Sequence, residues 1–141
     1  TLIFLALGHK VIACEQSKVL FLLLSDAINR AKIKLNFLDN LNLIHGDALD
    51  IYKKTQNIDV IYLDPMYPLM KKNALRSGSI SDIKSILVLE NIENLEDQVF
   101  FDFKKNKFKK IVLKRPIKSK IIDDSLNYQI KGKSTRFDVY I

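Results

Sequence analysis

Apolar and polar positions in the first part of the chain predict a helix, a strand and a second helix. Leu2–Leu7 form an apolar patch that ends at Gly8, a residue that tolerates the positive φ found just past a helix end. Lys10–Cys14 is a short apolar run typical of a strand. Ser17 can then cap a helix over VLFLLLSDAINRA, which is too long for another strand.

Two further apolar runs predict strands at Leu41–His45 and Ile58–Leu63, and Asp47 can begin a brief helix between them. The second run is almost continuously apolar. Such runs are typical of strands covered on both faces by helices, as in a parallel sheet.

The second half of the chain adds a helical stretch Asp82–Leu89, a helix over LEDQVFFDFKKN that Asn94 can cap, and a strand Lys110–Lys114. LNYQIKG and STRFDVYI then read as an antiparallel hairpin. We therefore predict an α/β fold with a mixed, doubly wound sheet, formed by residues 1–141 as one domain.

Three carboxylates follow predicted strands: Glu15, Asp47 and Asp64. Ligands of open α/β sheets bind beyond these strand ends, where Glu15 can accept hydrogen bonds from ribose hydroxyls and Asp47 from an adenine amino group. Each also has a simpler interpretation, Glu15 as a solvated strand end and Asp47 as a helix cap. Their joint spacing favours a nucleotide-like cofactor.

The turn Asp64-Pro65-Met66-Tyr67-Pro68 is the most specific segment. Its two prolines fix φ and exclude a helix, so that Asp64 and Tyr67 are predicted to project over the sheet edge. A carboxylate that accepts the N–H of an exocyclic amine helps to localise the nitrogen lone pair, and an aromatic ring can stack on the base. The alternative is a stiff loop in which Tyr67 merely packs.

The chain carries a net charge of +7 with a pI near 9.4, which favours encounter with a polyanion such as nucleic acid. A solvated basic face is the alternative. We expect RNA phosphate contacts from basic residues that follow the turn 64–68, end the next strand or lie in the hairpin. These residues are Lys71, Lys72, Arg76, Lys114, Arg115 and Arg136.

Cysteine and histidine content predicts a cytoplasmic protein without a metal site. The single Cys14 excludes an internal disulfide, and no Cys and His cluster has zinc-site spacing. We expect no catalytic role for His9 or His45. The apolar opening TLIFLALG is too short to span a bilayer, so no membrane association is expected.

VIYLDPMYP, KKNAL, IVLKRP and KGKSTRFDVYI occur in this order, after LALGHKVIACEQ and LNLIHGDAL. With these motifs the chain resembles the RsmJ family of 16S ribosomal RNA guanine-N2 methyltransferases over nearly its whole length. The resemblance implies a class I methyltransferase fold, S-adenosylmethionine as donor, and a guanine N2 amine of 16S rRNA or the small ribosomal subunit as substrate. It also implies cofactor contacts at Glu15, Gln16, Asp47, Ala48 and Asp64.

Two features depart from the family. Its Gly-rich first motif and the following Arg-Asp pair have no counterpart here, so we expect that the first, central strand is missing and that this segment alone is poorly stable. Asp47 and Ala48 stand where the family often has two small hydroxyl residues.

Three other functions stay open at this point. A related turn serves methylation of other planar amines, such as a DNA adenine or a glutamine. A dinucleotide-binding dehydrogenase would use Glu15 to hold the ribose of NAD, although the turn 64–68 and the terminal antiparallel hairpin disfavour this function. An inactive remnant would bind RNA through charge alone.

Overall fold

The structure, a computed structural model, describes residues 1–65, 78–93 and 97–141. The described residues divide into two compact units. The first comprises those within 1–54 and 75–93, and the second comprises those within 55–74 and 94–141. Each unit combines helices with strands and is described by itself.

The first unit contains a parallel pair of strands, β1 (Val11–Glu15) and β2 (Leu41–His45), in a register that sets Glu15 beside His45. Its helices in chain order are α1 (Leu2–Ala6), α2 (Lys18–Lys32), a 3₁₀ helix (Asn36–Asn40), α3 (Ala48–Lys54) and α4 (Gly78–Leu89). The carboxyl ends of β1 and β2 therefore lie side by side.

Local signals explain where the helices of this unit begin and end. Ser17 has extended φ and ψ, and its Oγ accepts the N–H of Leu20 at 3.1 Å, so it caps α2 as predicted. Gly8 follows α1 with a φ of +86°, also as predicted. Leu5 and Leu38 are fully buried, whereas Leu23 of α2 is 59% exposed.

The second unit is built on a four-stranded mixed sheet in the order β3-β4-β6-β5. Its elements are β3 (Ile61–Leu63), α5 (Asp97–Lys104), β4 (Ile111–Pro116), β5 (Tyr128–Lys131) and β6 (Thr135–Tyr140). β3 and β4 are parallel, and β6 is antiparallel to both β4 and β5. The predicted terminal hairpin is confirmed.

One face of this sheet packs on α5. Alternate residues of β4 are buried, as is Tyr140 of β6. The Phe100 ring of α5 lies 4.6 Å from the Tyr140 ring between centroids. Burial, followed by the nearby Asp138 carboxylate, raises the pKa of Tyr140 to about 12. This face forms the apolar core of the second unit.

The predicted strands occur within a few residues of their expected limits, with two differences. β3 begins at Ile61 and not at Ile58, because Ile61 is the first residue that pairs with β4. The strands of the described residues form two sheets and not one, since apolar runs carry no information about which strands are neighbours. The predicted cap Asn94 lies outside the described residues.

No helix within residues 1–65, 78–93 and 97–141 is both long enough and apolar enough to cross a membrane.

Candidate active site

Glu15 ends β1 with a partly exposed carboxylate. Its Oε1 accepts the N–H of Ser17 at 2.8 Å, which closes a short turn between β1 and α2. The turn comprises Glu15, Gln16 and Ser17, of which Gln16 is exposed and Ser17 fully buried. Glu15 and Gln16, which are both expected to contact a cofactor, thus lie at the carboxyl end of β1.

Asp47 follows β2 after Gly46, whose φ of +145° favours glycine. Its Oδ1 accepts the N–H groups of Leu49 at 2.9 Å and Asp50 at 3.0 Å. The interpretation of Asp47 as a helix cap is therefore confirmed, and the exposed carboxylate stays accessible to a ligand. Ala48 is the first residue of α3.

The turn after β1 and the residue after β2 are close in space. The N–H of Gly46 donates to the Glu15 carbonyl at 2.9 Å. Burial and, to a lesser degree, the Asp47 carboxylate raise the pKa of the Cys14 thiol, which is therefore neutral at physiological pH. The structure thus brings together Glu15, Gln16, Asp47 and Ala48, four of the five residues for which the family resemblance implies cofactor contacts. The fifth, Asp64, belongs to the second unit.

Two residues that sequence reasoning did not assign also contact the turn after β1 or the start of α2. His45 Nε2 lies 3.2 Å from the Gln16 carbonyl, and Glu90 Oε1 accepts the N–H of Val19 at 3.2 Å. Glu90 is 71 residues from Val19 in the chain, so no local sequence signal could identify it. The position of His45 at a strand end was visible, but its contact depends on the register of β1 and β2.

In the second unit, Asp64 follows β3 with an exposed carboxylate. Its Oδ2 accepts a hydrogen bond from Lys114 Nζ at 2.8 Å. This pair follows from the parallel register, which sets Leu63 beside Leu113 and hence brings the next residues together. The hydrogen bond to Asp64 raises the pKa of Lys114, so the ammonium stays charged beside the carboxylate.

A second ion pair of the same kind joins the opposite ends of these strands. Lys109 Nζ donates to Asp59 Oδ1 at 2.7 Å, with the same separation of 50 residues. The hydrogen bond from Lys109 lowers the pKa of Asp59. An Asp-Lys pair therefore bridges β3 and β4 beyond each end of their ladder.

Arg115 and Arg136, two of the expected phosphate contacts, are buried at 5% and 4% exposure. Arg136 makes a two-pronged ion pair with buried Asp138, at 2.8 Å from Nε to Oδ1 and 3.1 Å from Nη2 to Oδ2. Arg115 pairs with Asp97 and donates to Ser119 Oγ at 3.2 Å.

Both guanidinium groups also reach carbonyl groups of the loop after β4. Arg136 donates to the carbonyls of Ile117 at 3.1 Å and Lys120 at 3.2 Å, and Arg115 donates to that of Lys120 at 3.4 Å. These donors are occupied inside the second unit. The structure therefore gives no support to phosphate contacts by Arg115 and Arg136, because such contacts require exposed guanidinium groups.

The other predicted site residues, Tyr67, Lys71, Lys72 and Arg76, lie outside the described residues. Within the parts of the chain that the structure describes, no three His, Cys, Asp or Glu side chains are grouped so as to hold a metal ion.

The donor and acceptor chemistry of the first unit fits S-adenosylmethionine. Ribose hydroxyls and an adenine amino group are hydrogen-bond donors, and the carboxylates of Glu15 and Asp47 are acceptors at adjacent strand ends. A neighbouring small residue, Ala48, leaves room beside Asp47. The residues present are therefore compatible with the adenosine part of this cofactor.

The sequence profile of a family described as putative SAM-dependent methyltransferases matches residues 1–141. A Francisella philomiragia protein named ribosomal RNA small subunit methyltransferase J is 37% identical over 147 residues, covering 96% of this chain and 58% of that protein. A Desulfotalea psychrophila protein of the same name is 31% identical over 140 residues, covering 96% and 52%. The chain thus spans little more than half the length of these relatives.

Among solved structures, a SAM-dependent methyltransferase from Neisseria gonorrhoeae matches with a TM-score of 0.68 and 30% identity, over 99% of this chain and 55% of that one. The predicted class I methyltransferase fold and the resemblance to the RsmJ family are confirmed. S-adenosylmethionine is the cofactor in the descriptions of both the family and this structure. The chain belongs to the family of putative SAM-dependent methyltransferases.

Proposed function

We propose that the protein to which this chain belongs methylates the N2 amine of a guanine in 16S ribosomal RNA, with S-adenosylmethionine as donor. The observation that carries the proposal is the Asp64 carboxylate, which directly follows β3, precedes Pro65 and is paired with Lys114 at 2.8 Å. The names of the curated relatives supply the substrate class. Residues 1–141 form its methyltransferase domain, in part or whole.

In this proposal, the turn after β1 and the residues after β2 bind the adenosine part of the cofactor. Glu15 accepts the ribose hydroxyls, with Gln16 beside it, while Asp47 and Ala48 border the adenine. The Oδ1 atom of Asp47 caps α3, and the other oxygen of this carboxylate accepts the hydrogen bond from the cofactor. The cofactor supplies a methyl group on a positively charged sulfur, so the protein's task is positioning.

Asp64 accepts an N–H of the guanine amine and thereby helps to localise the nitrogen lone pair. The same carboxylate would take up the proton that the amine loses when it is methylated, while the sulfur of the cofactor would leave as the neutral thioether. Lys114 orients the carboxylate through its hydrogen bond at 2.8 Å until the amine replaces the ammonium as hydrogen-bond partner. Tyr67, which lies outside the described residues, stacks on the base. Asp64 and Tyr67 are then the catalytic residues, and the reaction requires no metal.

The RNA backbone contacts basic side chains around this turn. Lys114 is described and partly exposed, and Lys71, Lys72 and Arg76 follow the turn in the sequence. For Arg115 and Arg136 we assign a different task, holding the loop after β4. With a net charge of +7, the chain is suited to a polyanionic substrate in the cytoplasm, either free rRNA or the small subunit.

The test compares Asp64→Asn with Asp59→Asn in the full-length protein. Both variants remove one carboxylate charge from an Asp-Lys pair beyond the same two strands, but at opposite ends. Transfer of tritium from labelled S-adenosylmethionine to 16S rRNA should fall at least about 100-fold for Asp64→Asn and stay near the wild-type rate for Asp59→Asn. Unchanged activity of Asp64→Asn would refute the assignment.

The same assay with DNA and protein acceptors decides between substrate classes. Transfer to rRNA alone supports the proposal, whereas transfer to a DNA adenine or a glutamine would replace it. Absence of S-adenosylhomocysteine binding by the wild-type protein would instead indicate an inactive RNA-binding remnant.

A further inference from the structure

The turn Glu15–Ser17 receives two contacts from residues that are distant in the chain. His45, at the end of β2, contacts the Gln16 carbonyl. Glu90, directly after α4, contacts the Ser17 hydroxyl and also accepts the N–H of Val19, the second residue of α2. The turn's internal bonds, from Ser17 N–H to Glu15 and from Leu20 N–H to Ser17, fix its shape but not its position relative to β2. The bond from Gly46 N–H to the Glu15 carbonyl joins the start of the turn to β2. The two distant contacts hold the rest of the turn and the start of α2.

Glu90 supplies a charge that α2 lacks. The first turn of α2 contains no acidic residue, although a helix N-terminus carries partial positive charge and unpaired N–H groups. The Ser17 hydroxyl and the N–H groups of Val19 and Lys18 lower the pKa of Glu90, so its carboxylate is charged at physiological pH. Glu90 is therefore an N-terminal cap of α2 from outside that helix.

The backbone around Glu90 is itself fixed. Asn91 has a φ of +53°, and its N–H donates to the Val88 carbonyl at 3.1 Å. The N–H of Ile92 donates to the Leu87 carbonyl at 2.9 Å, which completes a Schellman motif at the end of α4. Glu90 is thus held at the end of a 12-residue helix, and its contact with α2 does not depend on a mobile loop.

His45 is oriented by a ring contact. Its imidazole lies 5.2 Å from the Phe21 ring of α2, between centroids, and Nε2 must carry the proton to donate to the Gln16 carbonyl. One side chain therefore contacts both the turn and the helix that follows it. His45 is also the register partner of Glu15.

We propose that Glu90 and His45 are positioning residues for cofactor binding, which fix the turn that presents Glu15 and Gln16 without contacting the cofactor themselves. This inference rests on the proposed function, in which Glu15 and Gln16 bind the cofactor. A displacement of the turn moves both binding residues at once, whereas the acceptor Asp64 belongs to another part of the chain. The effect therefore falls on cofactor affinity and not on the methyl-transfer step.

The experiment measures S-adenosylhomocysteine binding by calorimetry for Glu90→Ala, Glu90→Gln and Glu93→Ala in the full-length protein. Glu93→Ala is the matched control, because it removes the same charge from an exposed position three residues away. We expect Kd to rise about 10-fold for Glu90→Ala. Glu90→Gln retains an acceptor oxygen for Val19 and should bind within about threefold of the wild type, as should Glu93→Ala.

Two further readouts separate positioning from general destabilisation. The kcat at saturating S-adenosylmethionine should stay within about twofold of the wild type for Glu90→Ala. In the ligand-free protein, amide hydrogen exchange at Val19 should accelerate in Glu90→Ala and not in Glu93→Ala. His45→Phe, which keeps an aromatic ring beside Phe21 but cannot donate to Gln16, should raise Kd in the same direction even if Glu90→Ala fails to fold.

The inference is overturned if neither Glu90→Ala nor His45→Phe raises Kd beyond the value for Glu93→Ala. A parallel measurement of Glu15→Ala distinguishes this outcome from failure of the proposed function. If Glu15→Ala abolishes binding while the Glu90 and His45 variants bind normally, only the positioning inference fails. If Glu15→Ala binds normally, the assignment of the cofactor site itself is wrong.

Discussion

Two segments that follow strands are held in different ways. The turn after β1 and the start of α2 are held by Glu90, which accepts hydrogen bonds and is half-buried, and by His45, which donates one and is exposed. The loop after β4 is held by Arg115 and Arg136, which are both buried. Both solutions satisfy carbonyl and N–H groups of irregular backbone.

The difference in burial determines what each segment can tolerate. A partly exposed partner that is lost can be replaced by water, so the cost appears as a local displacement. A buried guanidinium that is lost leaves a buried carboxylate without a cation, so the cost appears as global stability. We therefore expect substitutions of Glu90 and His45 to change mainly ligand affinity, and those of Arg115 and Arg136 to change mainly folding stability.

The largest effect is expected for Arg136→Leu. It leaves Asp138, which is fully buried, with Gln129 as its remaining described side-chain partner at 2.8 Å. The free energy of unfolding should fall by about 3–5 kcal/mol, measured by urea denaturation. The exposed pair Arg30–Asp26 provides the control, since Arg30→Leu should change the free energy of unfolding by less than about 1 kcal/mol. Similar effects of the two variants would remove the distinction between the segments.

A smaller effect is expected for Ser17→Ala, which removes the N-terminal cap of α2. Loss of the bond from Leu20 N–H should lower the free energy of unfolding by about 1 kcal/mol, within a range of about 0.5–2 kcal/mol. Ser25→Ala, in the middle of the same helix, is the control and should be neutral or slightly stabilising. Equal losses for both variants would contradict a capping role.

The smallest effect is expected in acid, at the ion pair of Lys104 with Asp123, which joins α5 to the loop before β5. The Lys104 hydrogen bond lowers the pKa of Asp123 from 3.8 to about 2. The folded-state pKa lies below the ordinary value, so the pair's stabilisation is complete above pH 3.8 and is lost as pH falls towards 2. Its size is roughly 1 kcal/mol or less.

The check is urea denaturation of the wild type and Asp123→Asn at several pH values. Their difference in stability should be constant near neutral pH and should vanish as pH approaches 2. A difference that grows on acidification would show that the sign of this linkage is wrong.

Local patterns predicted most elements, because their causes lie within a few residues. The cap at Ser17, the cap at Asp47 and the terminal hairpin all follow from short segments. The strand-end carboxylates were likewise recognisable from their position after apolar runs. Contacts of Glu90 with α2 and of Lys114 with Asp64 were not recognisable, because they depend on which distant elements become neighbours.

The burial of Arg115 and Arg136 was indicated by the alternation of residues along their strands, but their positive charge favoured exposure. Arg115 lies two residues after Leu113, which places it on the buried face of β4, and Arg136 alternates in the same way with Asp138. Their charge favoured the prediction that both side chains lie on the surface, since arginine is seldom buried without a partner. The partners Asp97 and Asp138 resolve this conflict, and only the tertiary structure reveals the first of them.

The two Asp-Lys pairs of β3 and β4 have a consequence for strand alignment. β3 has only three residues, so backbone pairing alone specifies weakly how it slides along β4. A shift by one residue would separate Asp59 from Lys109 and Asp64 from Lys114 together, and would turn buried Leu63 outward. The Asp59–Lys109 pair at one end of β3 therefore helps to fix the position along β4 of the Asp64 carboxylate at the other end.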